Sequence, residues 1–132
     1  MKKLKAWLVD DETDAHALIE GLLKEYFPYI ELVGISINIE DAWQYMRKGK
    51  PNLVFLDVNM PRGSGLDLLE RFPVRKFETI IISAFPENES KLEKFRDVPF
   101  LQKPYSVDDF IELTNRAVEK IRKNPNAVHR ID

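Results

Sequence analysis

Apolar residues along this chain follow two rhythms, short unbroken runs and longer stretches where they recur at steps of three and four. Leu4 to Val9 is the first run, and Thr13 to Phe27 follows with Ala15, Leu18, Ile19, Leu22, Leu23 and Tyr26 on one helical stripe. Pro28 ends that helix. Ile30 to Ile37 is the second strand, and Ile39 to Lys48 a short helix with Ala42, Trp43 and Met46 inward, closed by Gly49 and Pro51. Leu53 to Leu56 is continuously apolar, the pattern of a strand buried on both faces, as in parallel sheets. A Pro- and Gly-containing loop, Asn59 to Gly65, leads to a helix from Leu66 to about Phe72, and Thr79 to Ile82 is a fourth buried strand. Glu87 to Phe95 is a weak helical segment, and Phe100 and Leu101 form a short fifth strand. Ser106, with Asp109 three residues on, opens a last helix whose apolar face is Phe110, Leu113, Thr114, Ala117, Val118 and Ile121. Five strands alternating with five helices predict an α/β fold around a parallel sheet with right-handed crossovers.

Ligands of such sheets bind outside the carboxyl ends of the strands. Those ends carry Asp10, Asp11 and Glu12 after the first run, Asp57 after the third, Ser83 after the fourth, and Lys103 with Pro104 after the fifth. Carboxylates gathered on one rim repel each other unless a cation neutralises them. Magnesium suits such a place, since it takes hard oxygen ligands, uses one or two carboxylates and shares its shell with phosphate. A single lysine adds a point charge for a phosphate oxygen. Together they suggest phosphoryl transfer onto a carboxylate, with Asp57 the nucleophile.

Composition narrows the picture without changing it. The 132 residues, 44% of them hydrophobic, make one compact domain, and 20 basic against 22 acidic residues give a net charge of -2. No global field draws the chain onto nucleic acid or a membrane. The absence of cysteine excludes disulfides and thiolate chemistry, and neither a signal peptide nor a run of transmembrane length is present in this sequence. The expectation is a soluble, cytoplasmic protein. Each rim residue also has a plainer reading: a DDE run is commonly a solvated turn, Asp57 a turn residue, Lys103 surface charge and Ser83 a strand cap. His16 and His129 read as helix-surface and tail residues, since no partner stands at triad or zinc spacing.

The blocks LVDDE (Leu8 to Glu12), LVFLDVNMPRGSGLDLL (Leu53 to Leu69), IISA (Ile81 to Ala84) and QKPY (Gln102 to Tyr105) resemble the receiver domains of bacterial two-component response regulators over essentially the whole chain. The resemblance implies a flavodoxin-like sheet of order 2-1-3-4-5 flanked by five helices, with the receiver spanning residues 1–123 and 124–132 a tail or the start of a linker. It implies Asp57 as phosphoacceptor, Asp11 as a direct Mg2+ ligand, Asp10 acting through water and Asn59 offering its backbone carbonyl. Ser83 and Lys103 would meet the phosphoryl oxygens, Phe100 would stand in the slot of the aromatic switch, and the bond from Lys103 to Pro104 would be cis. Implied partners are a histidine kinase or histidine phosphotransfer protein, and an output protein or a second copy. With net charge -2 and no recognition helix in these residues, no nucleic acid is expected to bind this chain alone. The early blocks also resemble receivers that carry a LytTR-type DNA-binding domain, and a stand-alone regulator would look the same.

Two departures from the family pattern stand out. Only 20 positions separate Ser83 from Lys103, about two fewer than usual, so the fourth helix is expected to be short or irregular. Phe85 takes a commonly polar place at the site entrance. Alternative functions remain an aspartate-nucleophile phosphatase, which would want an acid where Asn59 stands, and a degenerate receiver acting as a constitutive binding module.

Overall fold

A computed structural model describes residues 2–60, 63–84 and 90–130. In chain order the elements are β1 (Leu4–Val9), α1 (Thr13–Tyr26), β2 (Ile30–Ser36), α2 (Ile39–Gly49), β3 (Leu53–Asp57), β4 (Asn59–Met60), β5 (Gly63–Ser64) and α3 (Gly65–Glu70). Then come β6 (Val74–Arg75), β7 (Glu78–Ser83), a 3₁₀ helix (Ser90–Phe95), β8 (Phe100–Gln102), α4 (Val107–Lys123) and β9 (His129–Arg130). Five strands form one parallel sheet in the order β2-β1-β3-β7-β8, the predicted 2-1-3-4-5 arrangement once the two-residue strands β4, β5, β6 and β9 are set aside.

The continuous apolar runs work because a central strand sends alternate side chains to opposite faces. In β3, Leu53 and Phe55 join the core built with α1 and α4, which includes Ile19, Leu23, Phe110 and Val118. Val54 and Leu56 face the other way, into the core that holds Trp7, Ala42, Met46, Leu66, Leu69 and Phe95. Every residue of β3 and β7 is buried. Trp7 gives the second core its bulkiest contact. Its ring lies over Gly34, where an added Cβ would stand 2.2 Å from the ring, and its indole N–H donates to the Ser36 hydroxyl at 2.9 Å.

Side-chain caps fix where three helices begin. Asn38 accepts from the Asp41 amide at 2.8 Å and Ser106 from the Asp109 amide at 3.0 Å, while Ser64 and Asp67 form a reciprocal capping box at α3. The N-cap of α1 is Glu12, which makes no side-chain cap.

The structure departs from the sequence reading in four places. Among the described residues there are four α-helices, not five. The weak segment Glu87 to Phe95 gives a 3₁₀ helix over Ser90–Phe95, as suits a connection too short and too polar for an amphipathic stripe, and residues 85–89, Phe85 among them, lie outside the described residues. Leu18 and Tyr26, placed on the inner stripe of α1, are exposed, because the sheet covers a narrower face than the six-residue stripe offers. The segment read as a tail returns to the body, with β9 pairing antiparallel to β6 through Val74 with Arg130 and Arg75 with His129. His129 is therefore more than a tail residue, since its Nε2 meets the Glu78 carboxylate at 2.5 Å.

Candidate functional site

Parallel pairing places the carboxyl ends of β1, β3, β7 and β8 side by side, and the polar residues there converge. Asp57 pairs with Ile82 in the β3–β7 register, Ser83 with Gln102 in the β7–β8 register, and the Lys103 amide donates to the Ser83 carbonyl at 2.9 Å. Asp10 and Asp57 are buried, Asp11 half-buried, and one carboxylate oxygen from each lies within 4.8 Å of the other two. Lys103 Nζ is 3.4 Å from Asp10 Oδ2 and 3.6 Å from Asp57 Oδ2. The peptide bond from Lys103 to Pro104 is cis.

Backbone and side-chain donors hold these acids in place. The Glu12 amide donates to Asp10 Oδ1 at 2.9 Å and the Asn59 amide to Asp57 Oδ1 at 3.1 Å. Gly65 packs directly on the Asp57 carbonyl, so close that a Cβ would stand 2.2 Å from that oxygen, and only glycine fits there. Its amide donates to the Val58 carbonyl at 3.0 Å, which ties the start of α3 to the end of β3.

Electrostatics follow from burial. Taking the Asp57 carboxyl out of water, with Asp10 beside it, pushes its pKa from 3.8 up to about 6, although Lys103 and the Asn59 amide pull the other way. Burial works against the charge on Lys103, but Asp57 and Asp10 outweigh it and hold the ammonium above its ordinary range. Burial, helped by Asp10, raises the Tyr105 phenol to about 12, and its ring stacks on Phe110 at 6.1 Å. Among the described residues one ammonium faces three clustered carboxylates. That leaves a deficit of positive charge among hard oxygen donors, and a magnesium ion fits such a set.

Asp10, Asp11, Asp57, Asn59, Ser83 and Lys103, all named from sequence, come together here, while Glu12, named with them, is exposed and joins through its backbone amide. Phe100 is set apart on β8, opposite Ile81, half-buried against the second core. Sequence reasoning missed three contributors. The Asn59 side chain accepts from the Ser83 hydroxyl at 2.6 Å and the Ala84 amide at 3.2 Å, a tertiary relation that leaves no mark in the local pattern. His16 Nε2 meets the Asp10 carbonyl at 2.5 Å from the first turn of α1. Gly65 was legible only as loop punctuation. Beside the rim an open groove of about 690 Å³ runs between α2 and α3, lined by Asp11, Ile37, Asn38, Met60, Asp67 and Arg71 among others.

The model of the response regulator receiver domain family matches residues 6–115. An uncharacterized response regulatory protein of Shewanella oneidensis is 32% identical over 127 residues, covering 94% of this chain and 52% of that protein. A protein-glutamate methylesterase/protein-glutamine glutaminase of Bordetella pertussis is 31% identical over 132 residues, covering 92% of this chain and 37% of that protein. The chain thus spans about half the length, or less, of these curated relatives. Among solved structures, the response regulatory domain of protein mrkE from Klebsiella pneumoniae has the same fold with a TM-score of 0.80 at 21% identity, covering 91% of this chain and 99% of that one. With the sheet order, the acidic rim and the family match in agreement, this chain belongs to the response regulator receiver domain family.

Proposed function

We propose that this receiver is a phosphorylation-controlled switch of a two-component system, in which Asp57 accepts a phosphoryl group from the phosphohistidine of a histidine kinase or histidine phosphotransfer protein. The observation that carries this reading is the buried Asp57 carboxyl, crowded by Asp10 and met by the Lys103 ammonium and the Asn59 amide. A carboxylate so placed is short of positive charge until a cation and a phosphoryl group arrive together.

Asp11 and Asp57, with the Asn59 carbonyl and with Asp10 through water, would hold a magnesium ion, which when bound supplies positive charge to the oxygens of the transferring group. An Asp57 carboxylate oxygen forms the new bond to phosphorus as the donor's P–N bond breaks and its electron pair returns to the imidazole. Lys103, already within 3.6 Å of that carboxylate, moves its ammonium onto a phosphoryl oxygen. The Ser83 hydroxyl leaves Asn59 to donate to another. Attack of water on the same phosphorus returns the acid, so the domain assists its own phosphorylation and dephosphorylation without being an enzyme toward another substrate.

Output passes through protein contacts at the surface formed by the 3₁₀ helix, β8 and α4, with Phe100 as the moving part. Beside it a groove of about 440 Å³ lies between β8 and α4. With net charge -2 the chain alone binds no specific DNA, and a cytoplasmic setting suits the kinase as partner. Among the described residues no helix is long and apolar enough to cross a membrane. The reading is tested by incubating the chain with acetyl phosphate and magnesium, then reducing with borohydride, which traps an aspartyl phosphate as homoserine. Homoserine at position 57 supports it, and trapping elsewhere or nowhere overturns it.

A further inference from the structure

At the end of the sheet away from the acidic rim lies a second concave site. Thr79 is at the amino end of β7 and Ser83 at its carboxyl end, which separates the two sites by about 13 Å at the usual rise of a strand. This cavity, of about 280 Å³, is walled by Arg75, Thr79, Phe95, Lys120, His129 and Arg130 together with Lys94, Glu78 and Asp97. It is closed on one side by β9, which pairs with β6.

Its polar groups are unusual. Arg75 is 5% exposed, and its Nε and Nη1 are buried with no hydrogen-bond partner among the described residues. Thr79, also 5% exposed, has a buried hydroxyl with no partner among the described residues. A buried guanidinium with unused donors is costly unless an anion meets it. Phe95 lies under the guanidinium, with Cζ 5.6 Å from the ring centroid.

Charge points the same way. The Glu78 carboxylate is occupied by His129 at 2.5 Å, and Lys94 is paired with Glu70 at 3.6 Å. Arg75, Lys120 and Arg130 form no ion pair among the described residues, and Asp97 is exposed at the margin. Burial lowers the Arg75 pKa, and the Glu78 carboxylate, already bonded to His129, offsets that only in part.

We propose that this basal cavity is an oxyanion site of the phosphate class, in which the Arg75 guanidinium and Thr79 hydroxyl donate to the anion while Lys120 and Arg130 supply its remaining counter-charge. The cavity is small for a ligand pocket, so the occupant is inorganic phosphate or the phosphoryl end of a small phosphomonoester. Since β9 forms one wall, the occupant bridges the returning carboxyl-terminal segment to β7.

The test uses the whole chain in metal-free buffer with EDTA, where the acidic rim cannot recruit phosphate. Inorganic phosphate is titrated at constant ionic strength against chloride, and the Arg75 Nε–H and Thr79 amide signals are followed by NMR. Saturable shifts at both groups are expected, with affinity reduced about tenfold or more in Lys120→Gln and in Arg75→Met, in line with loss of a charge-assisted bond. Lys120 is exposed on α4, so its variant keeps the test valid if Arg75→Met unfolds. Asp57→Asn should bind phosphate as the wild type does, which separates this site from the phosphoacceptor. Adenosine monophosphate is titrated in parallel: tighter binding than phosphate identifies a phosphomonoester as the occupant, and equal or weaker binding identifies the free anion. Linear, unsaturable shifts in the wild type, or saturation unchanged in Lys120→Gln, would overturn the assignment.

Discussion

The Ser83 hydroxyl donates to the Asn59 side-chain oxygen at 2.6 Å, so the residue two places after Asp57 holds the polar end of β7. A phosphoryl group on Asp57 offers a more strongly charged acceptor on the same rim, and drawing Ser83 toward it would release Asn59 and shift the end of β7 beside Phe100. Phenylalanine has no hydroxyl to anchor it outward, and Phe100 already rests half-buried against the second core. Ser83→Ala is expected to be phosphorylated at Asp57 more slowly than the wild type. Its NMR shifts around Phe100 should respond more weakly to beryllofluoride, a mimic of the acyl phosphate. Identical responses at Phe100 in both proteins would exclude this route of transmission.

The Asp57 carboxyl binds its proton at about 6 in the folded chain against 3.8 for the ordinary group, so the metal-free native state holds the extra proton between those values. The sign is the reverse of an ion-paired aspartate. Stability from this group is greatest at low pH and is lost as pH rises through about 6. In metal-free buffer Asp57→Asn should therefore be more stable than the wild type at pH 7.5, by about 1–2 kcal/mol, with the gap closing toward pH 4. Urea denaturation at the two pH values checks this, and a gap that widens on acidification would contradict it.

Lys103 competes with a metal for the same carboxylates. Lys103→Met should destabilise the metal-free protein by about 1–3 kcal/mol, because two buried acids lose their shared counter-charge. Magnesium should bind this variant more tightly than the wild type while phosphoryl transfer slows. Calorimetric titration with magnesium measures the first effect, and weaker binding in the variant would count against the placement of Lys103.

Gly34 makes room for the Trp7 ring. Gly34→Ala is expected to cost about 1–3 kcal/mol by overpacking and to change the Trp7 emission, because the ring and its bond to Ser36 must both shift. Unfolding followed by tryptophan fluorescence reads both effects, with Trp43→Phe as the background that isolates Trp7.

How much of this was legible in the sequence depends on the kind of signal. The strands β3 and β7 announced themselves because full burial favours unbroken apolar runs, β1 because only Lys5 interrupts its run, and the residues ending those runs had to fall on one rim. The rim acids, Ser83 and Lys103 were therefore readable from strand ends and motif order alone. The bond from Ser83 to Asn59 was not, since an amide side chain carries no sign of its distant partner. The β6–β9 ladder involves two residues on each side, too few for any period to show, and so the basal cavity that it walls was invisible as well. The segment leading to β8 was legible in part: the short spacing from Ser83 to Lys103 foretold a short or irregular helix, and its few apolar side chains suffice only for a 3₁₀ turn over Ser90–Phe95.

The central claim, that Asp57 is the phosphoacceptor, is met most directly by intact mass after incubation with acetyl phosphate and magnesium, comparing the wild type with Asp57→Asn. The amide is a far poorer nucleophile and a poorer metal ligand than the carboxylate. The wild type should gain the mass of one phosphoryl group, a gain absent when magnesium is chelated from the start of the incubation, and Asp57→Asn should gain none. Equal labelling of the two proteins, or labelling of the wild type that does not depend on magnesium, would contradict the account.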